Sequence, residues 1–205
     1  YVVTQDWIID NFDYEDSGVR FEESECGKFG SLYTFDEVEE IDSLLESEGT
    51  GFRVPSGMDY VYLEKYLGYD RDKLAESESG DISIDIDTYV SGYIGTVEGK
   101  RLKAGDLVYS GVNWNGYGTE TADNSQLNIL PSVYSSIDDE GNNSFHGMGT
   151  EAKFWTSTVV SKSGSIIAES RSISNSSDKI LRGTDQGSKI RMSIRMVRTN
   201  IKLKN

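Results

Sequence analysis

The chain has 205 residues, of which 36% are hydrophobic, and it carries a net charge of −15. This length fits a single domain, predicted to span residues 1–205, and the apolar content is too high for a disordered chain. The negative charge argues against nucleic acid as the main partner, because phosphate binding depends on clustered Lys and Arg.

The opening residues, 1–12, are rich in β-branched and aromatic side chains, which predicts a strand. A short buried turn is expected to follow around Trp7, Ile8 and Ile9. An acidic connection containing Gly then runs through residues 13–31.

Two helices are predicted next from their capping signals. Thr34 and Glu37 have the spacing of a capping box, and Ser56 and Asp59 repeat it for a second helix that ends at Gly68. Apolar residues recur on one face of each helix. These faces are Phe35, Val38, Ile41, Leu44 and Leu45 in the first helix, and Tyr60, Leu63, Tyr66 and Leu67 in the second.

An acidic insertion is predicted at about residues 70–88. Within it, residues 81–87 alternate between polar and Ile, which predicts a strand with three Asp on one face. A calcium site and a solvated face are both open interpretations. Side chains two apart on a strand are about 7 Å apart, too far to share one ion without curvature, so the solvated face is favoured.

From residue 105 onward, Gly, Ser, Asn and Thr dominate and helical periodicity fades. This half is predicted to contain loops and short strands. Helices followed by such a half indicate an α+β class rather than alternating βαβ units. The stretch around His146 is interpreted as loop, with the histidine at the surface or in loop packing rather than acting as a catalytic base.

The closing residues, 179–205, contain eight Lys and Arg and one acid, Asp185. Residues 190–196 alternate between apolar and polar, which predicts a half-buried strand with a charged face, followed by a short basic tail at 199–205. A nucleic-acid tail is one interpretation of this strip. The alternation favours packing near the acidic body, where the strip lowers self-repulsion.

Six short phrases occur in order along the chain: WIIDNF at 7–12, GSLYTF at 30–35, GFRVPS at 51–56, LNILPSVY at 127–134, FWTST at 154–158 and SIRMVR at 193–198. Together they resemble the Fibrobacter succinogenes major paralogous domain (FISUMP) family. The family often has a Cys before the Gly-Trp-Arg turn and another in its closing strand. Here those places read Glu48-Gly49-Thr50 and Met196, so that disulfide is absent and the inference of an oxidising compartment is weaker.

The resemblance implies a C-type-lectin-like fold. In it, two helices pack on small antiparallel sheets, the first and last strands pair, and a long loop-rich segment crosses one end. Family members are mostly secreted or surface proteins of gut and related bacteria, without established catalytic residues. An extracellular or cell-surface location is therefore expected. Virion receptor-binding proteins use the same fold, so a phage virion component is the alternative.

Loops on such a scaffold would carry a recognition site for a glycan or a surface protein. Aromatic and amide side chains together can stack on a sugar and bond its hydroxyls. The candidate ligand-binding residues are Trp114, Asn115, Tyr117, Asp138, Asp139, Asn142 and Asn143. Two alternatives stay open: Trp114 as a core tryptophan, and residues 138–143 as a solvated turn.

Catalysis and cofactors find little support in the sequence. No P-loop, GxGxxG, HExxH or GxSxG motif is present, and Cys26 and His146 are the only residues of their types. A single Cys and a single His exclude an internal disulfide, a Cys-rich zinc site and the Cys pair of formylglycine-generating enzymes. A carboxylate-pair glycosidase would leave no specific signal among 35 acids.

We therefore expect a non-enzyme without a cofactor. Calcium would need a ligand set other than Glu-Pro-Asn or Gln-Pro-Asp, because Pro55 and Pro131 are the only prolines and neither tripeptide occurs. No apolar run reaches the roughly 18 residues of a membrane-spanning helix. The oligomeric state has no sequence signal.

Overall fold

The computed structural model of the chain describes residues 2–7, 30–67, 91–104, 114, 127–161 and 164–202. Its elements are β1 (Val2–Trp7), α1 (Phe35–Ser47), β2 (Phe52–Arg53), α2 (Gly57–Leu67), β3 (Gly92–Ile94), α3 (Glu98–Leu102), β4 (Tyr134–Ile137), β5 (Asn143–His146), β6 (Glu151–Ser161), β7 (Ile167–Ser174), β8 (Ile180–Gln186), β9 (Ile190–Arg191) and β10 (Val197–Lys202). Few helices beside several antiparallel sheets confirm the α+β class. Cys26, Gly68 and the insertion at 70–88 lie outside the described residues.

The two ends of the described chain pair with each other. Strand β10 lies between β1 and β2, and its antiparallel register with β1 runs from Val2 opposite Lys202 to Trp7 opposite Val197. The predicted pairing of the opening and closing strands is confirmed. The strand continues through residues 199–202, which were predicted as the start of a basic tail, because β1 provides backbone partners along that length.

A four-stranded antiparallel sheet in the order β3-β8-β7-β6 forms the centre of the fold. Strand β6 has 11 residues and β7 has 8, so the prediction of short strands in the second half is wrong here. The Ser and Thr content suggested loops, but their hydroxyls are accommodated inside the sheet. Thr156, for example, is fully buried and donates to Glu169 O at 3.2 Å.

Both predicted capping boxes are present. Thr34 N donates to Glu37 Oε2 at 2.7 Å, and Glu37 N donates back to Thr34 Oγ1 at 3.4 Å. In α2, Ser56 N donates to Asp59 Oδ2 at 2.7 Å, and Asp59 N donates to Ser56 Oγ at 3.3 Å. The start of each helix is therefore set by side chains three residues apart.

Two hydrophobic clusters cover the two faces of the central sheet. Phe154 belongs to one cluster, with α2, and the next residue, Trp155, belongs to the other, with α1. Successive strand residues point to opposite faces, so this pair reaches both clusters from β6. The Trp155 indole N–H donates to Tyr33 O at 2.8 Å, and its ring meets Phe35 edge-on at 5.5 Å.

A buried ion network sets the rotation of α2. Glu64, 2% exposed, accepts from Arg171 Nε at 2.9 Å and from Arg182 Nε at 3.0 Å. Arg171 also contacts Glu169 and donates to the backbone oxygen of Gly57 at 3.1 Å. Because Glu64 faces the sheet, Tyr66 points outward and is 68% exposed, so its predicted place on the buried face is wrong.

Part of the predicted charged face of the closing segment is also buried. Met192, Ile194 and Met196 lie in the α1 cluster, as the alternation predicts, but Ser193 and Arg195 are at most 4% exposed. The Arg195 guanidinium lies 5.8 Å from the Phe154 ring and donates to Leu127 O at 3.1 Å. The segment runs beside β6 and is covered on both sides.

The basic strip pairs with the acidic body. Arg191 Nη1 donates to Glu37 Oε2 at 2.9 Å, and Arg182 and Lys189 form ion pairs with Glu64 and Asp139. These contacts support the packing interpretation of the strip rather than a free tail.

Candidate functional site

Trp114 is part of the core. It is 3% exposed, its indole N–H donates to Ile129 O at 3.0 Å, and Lys103 Nζ lies 5.3 Å from the ring centroid. An enclosed ring cannot stack on a sugar, so the assignment of Trp114 to a ligand surface is corrected to the core alternative. Asn115 and Tyr117 lie outside the described residues.

Residues 138–142 form the turn of the β4–β5 hairpin. The Asp138 carboxylate accepts from the backbone N–H of Glu140 at 2.9 Å and of Asn142 at 2.8 Å, and from Asn142 Nδ2 at 3.1 Å. The Asn142 side-chain hydrogen bond, followed by the backbone bonds, lowers the pKa of Asp138. Asp139 is 97% exposed, and its ion pair with Lys189 lowers its pKa.

The contacts of this loop agree with the solvated-turn interpretation, because the hydrogen bonds of Asp138 are made to residues of the same turn. Asn143 begins β5 and accepts from Ser135 Oγ at 3.4 Å across the hairpin. Ligand binding by these four predicted residues stays a prediction.

His146 lies on a strand and not in a loop, because β4 provides its backbone partner: Tyr134 is opposite His146. All four residues of β5 are exposed. His146 Nε2 and Ser136 Oγ are hydrogen-bonded at 2.9 Å, and the His146 and Tyr134 ring centroids are 5.2 Å apart at an interplanar angle of 34°.

The turn after β5 brings the hairpin against the central sheet. Gly147 has φ +83, and its carbonyl oxygen accepts from Thr150 N at 2.9 Å and Glu151 N at 2.8 Å. A Cβ at Gly147 would lie 3.1 Å from Glu151 Cβ and 3.4 Å from the Tyr134 ring. A glycine therefore suits both the left-handed backbone and the close packing.

On β6, Glu151 and Lys153 point to the same side of the sheet, under the hairpin. Lys153 Nζ lies 4.3 Å from the Tyr134 ring centroid and 4.0 Å from Glu151 Oε1. Their side chains are only 16% exposed for Lys153 and 25% for Glu151. Two charged groups thus meet an aromatic ring at a half-buried position.

Strand β8 adds a further carboxylate. Asp185 accepts from the buried Ser170 Oγ at 2.6 Å. Gly183, opposite Ser170 in the register, leaves room for this hydrogen bond, because a Cβ there would lie only 3.0 Å from Ser170 Oγ. We call Tyr134, His146, Glu151, Lys153 and Asp185 together the hairpin site.

The charges of the hairpin site act on one another. Burial is the main cause that raises the pKa of Glu151; the negative charge of Asp185 adds to it, and Lys153 and His146 oppose it. Burial also raises the pKa of Tyr134, with the charges of Glu151 and Asp185 adding to the effect. Perturbed groups gathered at a partly open position are characteristic of binding and catalytic sites.

Among the described residues, no three His, Cys, Asp or Glu side chains lie close enough together to hold a metal ion. The aspartates at 81–87 lie outside that part.

Sequence reasoning missed the hairpin site, because it interpreted His146 only as a surface or loop-packing histidine. Its members come from β4, β5, β6 and β8, so no local motif joins them. One signal was present: residues 151–154 alternate between charged and apolar, which places Glu151 and Lys153 on one face and Ala152 and Phe154 on the other.

A comparison with known protein families gives one match that covers nearly the whole chain. The sequence model of the Fibrobacter succinogenes major domain matches residues 3–198. The chain belongs to this family. No curated protein and no solved structure matches it. No helix among the described residues is long and apolar enough to cross a membrane.

Proposed function

We propose that this family member is a non-catalytic recognition module that binds a glycan or a surface protein through the hairpin site. The observation that supports it best is the gathering of Tyr134 and His146 beside Glu151, Lys153 and Asp185 at a half-buried, partly open position. Aromatic rings beside charged hydrogen-bonding groups are typical of sites that hold polar ligands.

The proposed fold is C-type-lectin-like, supported by the paired end strands and by two helices ahead of the sheet-rich half. The proposed location is extracellular or at the cell surface, following the family resemblance. A phage virion component is the alternative, and having Cys26 as the only cysteine suits assembly in a reducing cytoplasm.

A glycan and surface-protein array, run with calcium and with a chelator, tests this function. His146→Ala should weaken any binding at least several-fold. Tyr66→Ala, an exposed aromatic on α2, is the matched control and should leave binding unchanged. Binding should persist in the chelator. The absence of any ligand, equal effects of both variants, or turnover of an arrayed glycan would overturn the proposal.

A further inference from the structure

We propose that the hairpin site binds an uncharged sugar by holding one ligand hydroxyl between Lys153 Nζ and Glu151 Oε1. This inference rests on the recognition function proposed above and adds the chemistry of the ligand.

The first argument compares the two faces of the same sheet. On the α2 face, Arg171 and Glu64 are in direct contact at 2.9 Å and nearly fully buried. On the hairpin face, Lys153 and Glu151 stay 4.0 Å apart although both are largely buried. At 4.0 Å the ion pair has no direct hydrogen bond, so together with the contact of Lys153 with the Tyr134 ring it recovers only part of the hydration that burial removes. The open pair is therefore poor as a structural contact and suited to receiving a third group.

The second argument is the chemistry of that third group. An ammonium only donates hydrogen bonds and a carboxylate only accepts them, whereas a hydroxyl does both. Charge-assisted hydrogen bonds are about 2.8 Å long, so one oxygen can reach both atoms across the 4.0 Å gap. A ligand hydroxyl between them accepts from Lys153 and donates to Glu151.

A second contact lies along the sheet from the first. Ser170 holds Asp185 at 2.6 Å, which orients the carboxylate. The backbone of Gly183 is not left-handed, so its conformation does not require glycine, yet any side chain there would crowd Ser170. Asp185 is only partly buried, so its carboxylate is able to accept from another hydroxyl. A ligand that presents several hydroxyls on one rigid frame is a sugar.

The third argument is charge. The hairpin site holds two carboxylates and one ammonium, on a chain of net charge −15. Sulfated or carboxylated sugars would be repelled. The site therefore selects neutral sugars, and its affinity should change little with salt, because the ligand carries no charge to screen.

The test measures calorimetric binding of neutral hexose oligosaccharides and of the same backbones carrying sulfate or uronic acid carboxylates. The wild type should bind a neutral member with an affinity that is nearly independent of ionic strength. Glu151→Gln and Lys153→Met should each weaken it at least tenfold, while Glu46→Gln, exposed on α1, should not. Thermal unfolding of each variant checks that the fold is retained.

The outcomes separate this inference from the function on which it rests. Preference for the anionic oligosaccharides, or binding that is lost in His146→Ala and unchanged in Glu151→Gln and Lys153→Met, overturns the hydroxyl bridge and leaves recognition standing. If a variant unfolds, the test rests on the wild type alone: a preference for neutral oligosaccharides and an affinity independent of salt support the inference, and the opposite results overturn it. Binding to no glycan and no surface protein on the array overturns both.

Discussion

The substitution Glu64→Gln removes the one negative charge that two arginines share. Glu64 accepts from Arg171 at 2.9 Å and from Arg182 at 3.0 Å, and it is 2% exposed. With Gln in its place, the network would hold two guanidinium groups and one carboxylate, Glu169. The Gln side chain keeps one acceptor oxygen and gains an NH2 group. That NH2 group would face the N–H groups of one arginine, donor against donor, or that arginine would lose its acceptor.

Breaking a buried ion pair by removing one partner costs about 3–5 kcal/mol. Arg171 keeps Glu169 and the backbone oxygen of Gly57, so we expect the lower end, about 3 kcal/mol. This is a large share of a typical unfolding free energy of about 5–15 kcal/mol. In urea, it corresponds to a fall in the denaturation midpoint of about 1 M with an unchanged slope.

The assay is urea unfolding at pH 7, followed by tryptophan fluorescence and by circular dichroism. Glu46→Gln, the same change at an exposed position of α1, is the control and should stay within about 0.5 kcal/mol of the wild type. A loss below about 1 kcal/mol in Glu64→Gln would refute the reasoning, because it would mean that neither arginine depends on Glu64.

Three further predictions concern the same unfolding measurement. Burial lowers the pKa of Lys103 from 10.5 to about 8, so between these pH values the unfolded state binds more protons and the unfolding free energy should rise with pH. Lys103→Met should abolish that rise, which amounts to about 3 kcal/mol, and an unchanged pH profile would contradict it. Trp114→Ala should cost about 3–5 kcal/mol, since it leaves a cavity and removes one of the two hydrogen bonds to the Ile129 oxygen; a loss below about 1 kcal/mol would contradict the core position of Trp114. Thr34→Ala should cost about 1 kcal/mol by removing the acceptor for Glu37 N, whereas no change would show that the cap contributes nothing.

The features that depend on neighbours in sequence could be predicted. Thr34 with Glu37 and Ser56 with Asp59 fix the helix starts within one turn, and the alternation of 190–196 identifies Met192, Ile194 and Met196 as core residues. The pairing of the two ends followed from the family resemblance, since no local pattern joins residues that lie at opposite ends of the chain.

The predictions that failed concern residues whose contact partners are far away in the sequence. The helical pattern placed Tyr66 on the buried face and did not include Glu64, but Arg171, 107 residues further on, makes burial of Glu64 favourable. Arg195 was expected at the surface and is buried because Leu127 O and the Phe154 ring receive its guanidinium. In the hairpin site, Tyr134 meets Lys153 because the turn at Gly147 brings the hairpin against β6.

Amide chemical-shift mapping of the labelled protein tests the central claim most directly. During titration with a neutral oligosaccharide that binds, the largest shifts should fall in β4, β5, the first residues of β6 and around Asp185. Shifts confined to the helices at 35–67, with the hairpin unchanged, would contradict the account.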